Sequence, residues 1–309
     1  MTKSVSNSLD VPRLVSGGIE LNTNPQAFGI LRDSSTIVDS TEALRARMQQ
    51  DGYLFLRGYL NRDDVLAARR EVTRRLADQG CLDEASDPID AVARKDYTGK
   101  FKPELARKNA ALENVLYNGA LLNFFERFLD GSVRHFDYTW LRAVSPGRGT
   151  SSHCDCVYMS RGTQNLFTAW TPLGDISYEM GGLIVLEGSH RNERLRNTYG
   201  KTDVDSYCTN REGRASQDAW AKGTSGVLSK NPVQIQKSLG GRWLTTEYRA
   251  GDVLIFSIFT VHASLDNHSD RVRLSSDSRY QLASDPVDER WVGTQPIGHS
   301  QAGKRGRIC

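Results

Sequence analysis

The most informative segment of this 309-residue chain reads Pro146-Gly147-Arg148-Gly149-Thr150-Ser151-Ser152-His153-Cys154-Asp155. Its glycines make a flexible entry to an extended segment, in which residues two apart point to the same side. His153 and Asp155 can therefore reach one metal ion, while Cys154 and Cys156 point away. The spacing predicts two metal ligands within a single short segment.

A third ligand is predicted further along the chain, at His262. The turn Ala250-Gly251-Asp252 leads into an apolar strand at 253–261, which His262 ends, so a neighbouring strand would carry this imidazole to the first two ligands. Two histidines and one carboxylate on one face of an iron ion leave three coordination positions open, as non-heme Fe(II) oxygenases require. The same ligand types also suit Mn, Co or Zn.

Arg273-Leu274-Ser275 follows the second histidine. A guanidinium group is planar and can hold a carboxylate through two hydrogen bonds. Arg273 could thus hold the distal carboxylate of a dicarboxylic co-substrate that also reaches the metal. The ordered set of His-x-Asp, His and Arg-x-Ser predicts an Fe(II)/2-oxoglutarate oxygenase.

Each of these residues has a simpler interpretation when taken alone. A lone His-x-Asp is usually a surface polar pair, a lone His262 a satisfied core histidine, and a lone Arg273 a surface cation. A structural zinc site is not favoured, because Cys154 and Cys156 have no Cys-x-x-Cys partner and Cys208 stands alone. The order of the whole set is what favours a catalytic metal.

The sequence around the ligands is typical of an antiparallel β core. From residue 132 onward, short runs rich in Val, Ile, Tyr, Trp, Phe and Thr alternate with Gly, Pro, Asn and Ser. Before them, helices are predicted at 41–50 with Ser40 as N-cap, after Asn61, and within 105–129. The predicted fold class is mainly β with N-terminal α-helices.

The chain divides by composition into a predicted loose leader at 1–40, a single oxygenase domain at 41–295, and a basic, solvated tail at 296–309. Within the domain, the sequence predicts a helical part at 41–131, a β core at 132–295 and a lid at 197–241, where apolar runs are few.

Bulk properties exclude several classes of protein. Forty Lys and Arg against 37 Asp and Glu give a formal charge of +3, which does not argue for a nucleic-acid partner. No apolar run approaches the length of a membrane span, so no membrane partner is predicted. The five irregularly spaced cysteines do not form a disulfide framework, which favours a reducing, cytoplasmic location. No pattern indicates an oligomeric state.

From about residue 45 to 293 the chain resembles the phytanoyl-CoA dioxygenase-like Fe(II)/2-oxoglutarate oxygenases. Each motif taken alone has middling specificity for the family, but the order and spacing of the motifs are strong evidence for the resemblance. Besides the ligand motifs, the matching segments are Asp51-Gly52-Tyr53-Leu54-Phe55-Leu56-Arg57-Gly58-Tyr59-Leu60, Trp170-Thr171-Pro172-Leu173-Gly174-Asp175, Gly181-Gly182-Leu183-Ile184-Val185-Leu186-Glu187-Gly188-Ser189-His190, Gly251-Asp252, His262-Ala263-Ser264 and Arg273-Leu274-Ser275.

This resemblance implies a double-stranded β-helix core (a jelly roll, cupin-like) flanked by N-terminal helices. It implies that His190 is structural and that Lys100 and Lys102 are only candidates for a pocket-edge lysine. Separately, Tyr158, Met159 and Arg161 follow the first two ligands in sequence, a position that predicts either a border to the substrate or ordinary packing. The implied site consists of the iron triad His153, Asp155 and His262, the 2-oxoglutarate clamp Arg273 with Ser275 and Ser264 as hydroxyl partners, and Trp170 in the co-substrate pocket.

The implied reaction is hydroxylation, or another oxidation, of an unactivated C–H bond in a small molecule such as a secondary metabolite or an acyl or amino-acid metabolite. Fe(II), 2-oxoglutarate and O2 take part, and succinate and CO2 are released. Desaturation, cyclisation or epimerisation can begin in the same way. Two competing hypotheses are a metal-dependent jelly-roll hydrolase or isomerase, which would work without O2, and a non-catalytic binding jelly roll, which would not need the triad.

Overall fold

Four helices lie in the N-terminal part of the chain in the computed structural model, which describes residues 11–147, 149–209 and 226–308. Their bounds are α1 Thr41–Asp51, α2 Arg62–Asp78, α3 Ala110–Tyr117 and α4 Ala120–Leu129. Both predicted N-caps are confirmed. The side chain of Ser40 accepts a hydrogen bond from the Ala43 amide, and that of Asn61 accepts from the amides of Asp63 and Asp64. Two further helices lie later in the chain, the five-residue α5 Glu193–Asn197 and the eight-residue α6 Pro232–Leu239.

Strands supply most of the core. In chain order they are β1 Val15–Ser16, β2 Ile19–Glu20, β3 Phe28–Ile30, β4 Tyr53–Leu56, β5 Val133–His135, β6 Trp140–Val144, β7 Phe167–Pro172, β8 Leu183–Leu186, β9 Ser206–Cys208, β10 Trp243–Thr245, β11 Val253–Ser257, β12 His262–Ser264, β13 Arg273–Leu282 and β14 Arg305–Arg307.

The strands form two main sheets that face each other. The larger sheet has the order β4-β11-β7-β13-β5, and β6 pairs with β13 beside β5. The smaller has the order β12-β8-β10-β3. Tyr53, Phe55 and Trp170 of the larger sheet share one buried cluster with Val185 and Leu244 of the smaller, so this cluster lies between the sheets.

The outer face of the larger sheet is covered by the N-terminal helices. Alternate residues such as Leu54, Ala169 and Ile255 pack there in one cluster with α2 and α4 residues, including Val72 and Phe124. Because successive strand residues point to opposite faces, the intervening residues of β13 face the smaller sheet. The sheet thereby presents one apolar face to the helices and one partly polar face to the interior.

Three segments differ from their predicted form. The leader predicted at 1–40 contains, from residue 11 onward, the β1–β2 pair and β3, which pairs in parallel with β10. In the predicted tail at 296–309, β14 pairs in parallel with β9. The described parts of the predicted lid hold β9 and α6, whereas 210–225 lies outside the described residues. The sequence did not indicate these pairings because each of these strands has only two or three residues, too few to show an alternation.

His262 was predicted at the end of a strand at 253–261, and this placement is wrong. β11 ends at Ser257, the chain turns, and His262 begins β12 in the opposite sheet. The apolar run Ile258–Phe259 that suggested a continuous strand belongs instead to the turn, where both side chains are buried.

Cys81, Cys154 and Cys156 are free and buried, whereas Cys208 is disulfide-bonded, which the cysteine spacing did not predict. Among the described residues, no helix is both long enough and apolar enough to cross a membrane.

Candidate functional site

Backbone pairing brings the two predicted histidine ligands together. The His153 amide donates to the His262 carbonyl at 3.0 Å, and the His262 amide donates back to the His153 carbonyl at 2.9 Å. β12 is itself held by β8, in the register His262 opposite Val185. The imidazole centroids are consequently 4.2 Å apart, and both rings are buried.

The outer nitrogen of each ring is fixed by a main-chain carbonyl. His153 Nδ1 lies 2.8 Å from the Ser151 oxygen, and His262 Nδ1 lies 3.0 Å from the Thr260 oxygen. Since a carbonyl only accepts, each Nδ1 carries the proton and each Nε2 keeps its lone pair. Burial, together with the neighbouring His262, lowers the pKa of His153 to about 3, so this imidazole is neutral at physiological pH.

Asp155 turns one carboxylate oxygen toward these lone pairs. Its Oδ1 is 3.8 Å from His153 Nε2 and 3.7 Å from His262 Nε2. Asp155 begins a short 3-10 helix, Asp155–Val157, so the extended segment predicted for this motif ends at Cys154. The three candidate ligand atoms all lie within 4.8 Å of one another.

The other oxygen of Asp155 is bound by the protein. Thr168 Oγ1 donates to Oδ2 at 2.6 Å, and Arg279 Nη2 donates to it at 2.8 Å. Burial raises the pKa of Asp155, but the opposing effect of Arg279 and the two histidines is larger. The net pKa lies well below the usual range of a carboxyl group. Asp155 is therefore an anion that presents Oδ1 alone to the histidines.

Arg273 and Ser275 lie two residues apart on the interior face of β13. Arg273 Nη1 donates to Ser275 Oγ at 3.0 Å, while its Nε has no hydrogen-bond partner although the residue is only 1% exposed. Burial, followed by repulsion from Arg142, lowers the pKa of Arg273 to about 10, which still leaves a cation at neutral pH. A buried cation with an unused donor is suited to binding an anion.

Ser264 and Trp170 were both predicted to border the co-substrate. Ser264 Oγ accepts a hydrogen bond from the Thr150 amide at 2.8 Å and so holds the segment that leads to His153. Trp170 is fully buried, packs edge-on against Tyr248 at 4.6 Å, and leaves its Nε1 without a partner. Trp170 projects, like Arg273, from the face of the larger sheet that meets the smaller one.

Some of the other predicted residues lie next to the candidate ligands, whereas others bind elsewhere. Lys100 Nζ donates to the Gly149 carbonyl at 3.3 Å, next to the ligand segment, whereas Lys102 binds Gln79. Tyr158 packs edge-on against His153 at a centroid distance of 5.7 Å. Arg161 instead forms an ion pair with Asp203 at 2.9 Å.

Sequence analysis missed several polar residues beside the triad. Asp277 Oδ2 accepts from Arg142 Nε and Nη2 at 2.8 and 2.6 Å, and Arg279 lies over the Trp140 ring at 4.2 Å. A signal was present, because alternate residues from Arg273 along β13 read Arg, Ser, Asp, Arg. In a buried strand, polar residues at every second position indicate a polar interior face.

Comparison with known proteins identifies the family. The family model for phytanoyl-CoA dioxygenase matches residues 48–275, a segment that includes all three candidate ligands and the Arg273–Ser275 pair. The chain belongs to the phytanoyl-CoA dioxygenase family. It is an iron- and 2-oxoglutarate-dependent dioxygenase, which confirms the predicted enzyme class and cofactors.

Two relatives carry the name 1-deoxypentalenic acid 11-beta-hydroxylase. The protein of Streptomyces exfoliatus is 27% identical over 274 residues, covering 82% of this chain and 85% of the relative. That of Streptomyces arenae is 25% identical over 268 residues, covering 83% and 87%. This family member therefore aligns with hydroxylases over most of both chains.

Solved structures share the fold. The epimerase SnoN in complex with Fe3+, alpha ketoglutarate and nogalamycin RO aligns with a TM-score of 0.56 and 19% identity, covering 84% of this chain and 93% of its own. EctD from S. alaskensis with 2-oxoglutarate and 5-hydroxyectoine aligns with a TM-score of 0.56 and 16% identity, covering 98% and 96%. At sequence identities this low, the structural likeness establishes the fold of the chain and nothing about its substrate.

The residues present fit a divalent iron ion. Two neutral imidazoles with free Nε2 lone pairs and one ionised carboxylate oxygen are the donor set of the facial triad. The two Nε2 atoms and Oδ1 of Asp155 are left available to a metal ion, since each Nδ1 and Oδ2 already has its protein partner.

Proposed function

We propose that this dioxygenase hydroxylates an unactivated C–H bond of a small-molecule substrate, with His153, Asp155 and His262 as its iron ligands and with release of succinate and CO2. The convergence of three buried ligand atoms within 4.8 Å of one another carries the proposal. The retained carboxylate of Asp155 also favours hydroxylation over halogenation, because related halogenases lack it so that chloride can bind.

Arg273 is proposed to bind the C5 carboxylate of 2-oxoglutarate, with Ser275 and Ser264 as hydroxyl partners and Trp170 lining the same pocket. The unused Nε of Arg273 and the unused Nε1 of Trp170 support this role, because buried donors are normally satisfied. Ser264 can still donate its hydroxyl hydrogen while it accepts from Thr150.

Bound iron, with 2-oxoglutarate and O2, supplies the oxidising power for attack on the C–H bond. The protein's own residues orient the co-substrate and the ligands and shield them from water. Arg273 sets the direction of the co-substrate, and the paired backbone at residues 153 and 262 fixes the two imidazoles. Tyr158 and Phe256, which contact the two histidine rings, exclude water from their flanks.

We propose a single catalytic domain at 41–295, extended by β3, in which the two facing sheets form a double-stranded β-helix, or jelly roll. The described parts of 197–241 are proposed to belong to a substrate lid, because Gly226 lies against the Tyr158 ring, which packs on His153, and Tyr199 donates to the Gly226 carbonyl. We also propose a cytoplasmic location with no nucleic-acid or membrane partner. The modest net charge and the three free thiols support it, whereas the disulfide at Cys208 counts against a reducing compartment.

The proposal can be tested by measuring succinate formed from 2-oxoglutarate. The protein is loaded with Fe(II) under anaerobic conditions and is then exposed to air. 1-Deoxypentalenic acid, the compound named for two relatives, and a mixed metabolite extract serve as substrates. Iron- and O2-dependent succinate that rises with one of them supports the proposal. Product formed without O2 would favour the alternative, a metal-dependent hydrolase or isomerase on the same triad.

Asp155→Ala is the matched inactive control for this assay. It removes a ligand while Arg273 and Ser275 remain, so succinate formation should fall to background. Wild-type turnover by this variant would contradict the proposed triad.

A further inference from the structure

The two oxygens of Asp155 have different surroundings. Oδ1 faces the two imidazoles, whereas Oδ2 is held by Thr168 Oγ1 at 2.6 Å and by Arg279 Nη2 at 2.8 Å. Both donors come from neighbouring strands of the larger sheet, where Arg279 of β13 lies opposite Thr168 of β7. The carboxylate plane is therefore set by the sheet and not by the short helix that Asp155 begins.

Arg279 is packed against further groups, although its Nε and Nη1 have no hydrogen-bond partner. Its guanidinium lies over the Trp140 ring at 4.2 Å, and its Nη1 is 3.8 Å from Asp277 Oδ2. Asp277 is in turn fixed by two hydrogen bonds from Arg142. With a side chain only 2% exposed, Arg279 has no solvent route by which to leave Asp155.

We propose that Arg279 is a positioning residue for the metal site, which with Thr168 holds Oδ2 back so that Asp155 binds the ion through Oδ1 alone. A carboxylate can otherwise bind a metal through both oxygens. Two-oxygen binding would occupy one of the positions that the co-substrates need. The inference rests on the proposed triad, and it assigns to Arg279 an effect on metal binding rather than on substrate.

The competing view is that Arg279 only balances buried charge and fills space beside Trp140. Such a role predicts a loss of stability without a selective change at the metal. The two views therefore predict different metal affinities for a variant that lacks Arg279, and metal affinity can be measured without turnover.

The test is Co(II) binding to metal-free protein by calorimetry for wild type, Arg279→Met, Thr168→Val and the double variant. Methionine keeps an unbranched side chain against Trp140 but donates no hydrogen bond. Loss of a partner behind a metal ligand typically costs about 10–100-fold in affinity, because the ligand is no longer held in orientation. This is the expected effect of Arg279→Met, and it outweighs the second oxygen contact that the variant makes possible. Because both donors act on the same oxygen, the effects of the two single changes should be non-additive.

Arg69→Met is the matched control. Arg69 is a half-buried arginine that binds the carbonyls of Ile89 and Leu173 on the helix side of the same sheet, so its loss should leave Co(II) affinity unchanged. Arg279→Lys keeps the charge and one donor, and its affinity should lie between those of wild type and Arg279→Met. Urea unfolding of each metal-free variant verifies that it is folded.

Two results would overturn the inference. One is a Co(II) affinity of folded Arg279→Met within twofold of wild type, and the other is full additivity with Thr168→Val. Failure of the proposed triad is distinguishable, because wild type would then bind Co(II) no better than Asp155→Ala does.

Discussion

Arg273 combines deep burial, a retained positive charge and an unused donor, and each property bears on how it binds an anion. Replacing it with alanine should weaken 2-oxoglutarate binding about tenfold to hundredfold or more, because each hydrogen bond between charged groups contributes about 1.5–3 kcal/mol. Calorimetry with 2-oxoglutarate and the Co(II)-loaded protein measures this. Co(II) affinity should be unchanged, since Arg273 contacts no candidate ligand.

Arg273→Lys provides the comparison at this position. A lysine retains the charge but not the planar pair of donors, so binding should recover only in part. An unchanged 2-oxoglutarate affinity in the alanine variant would contradict the clamp assignment.

His153 makes the stability of the metal-free protein depend on pH. Its pKa is lowered from 6.5 to about 3 by burial and by His262, so below pH 6.5 the unfolded chain takes up a proton that the folded protein does not. The stability contributed by this difference is present above pH 6.5 and is lost progressively as the pH falls toward 3.

Urea unfolding between pH 5 and 6.5, where most carboxylates stay ionised, measures this dependence. His153→Gln should have a slope of unfolding free energy against pH that is smaller by up to about 1.4 kcal/mol per pH unit. Identical slopes for the two proteins would mean that His153 has the same pKa in the folded protein as in the unfolded chain.

At the scale of the secondary-structure elements, Gly52 joins α1 to β4 and leaves room for the ring of His190. Gly52 ends α1 with φ +78°, and a Cβ there would overlap the ring of His190, whose Nε2 donates to the Gln49 carbonyl. His190 thus caps a helix, which agrees with its predicted structural role. Gly58, after β4, also has a positive φ of +55°, but a Cβ there would meet nothing within 4 Å.

This pair of glycines separates backbone strain from steric overlap. Gly58→Ala should cost about 1–2 kcal/mol of unfolding free energy from the left-handed backbone alone. Gly52→Ala should cost more, because His190 must also move. Urea denaturation measures both, and equal losses would show that His190 yields without penalty.

The same elements show what a sequence can and cannot predict. The helices α1 and α2 were predicted because their caps and apolar spacing are local signals. The roles of Thr168 and Arg279 were not, because each depends on strand pairing between distant segments, as in the Arg279–Thr168 register. The turn before His262 was missed because its buried residues are as apolar as a strand.

For the molecule as a whole, ligands of the site should stabilise the fold. A ligand that binds only the folded state at a hundred times its Kd adds about 2.7 kcal/mol. Removing metal with a chelator should therefore lower the Tm, and adding Co(II) should restore it. Asp155→Ala should not respond to Co(II), whereas Asp96→Ala, which alters an exposed carboxylate, should respond as wild type does. A normal response of Asp155→Ala would place metal binding elsewhere.

The mutual backbone hydrogen bonds between residues 153 and 262 also constrain the protein's synthesis. A growing polypeptide carries His153-Cys154-Asp155 long before the ribosome adds its partner, and closing so long a loop is slow and entropically costly. Until then the first two ligands are held no better than in a free peptide. Iron can thus be captured only after translation has passed residue 262, when most of the chain is already available to fold around it.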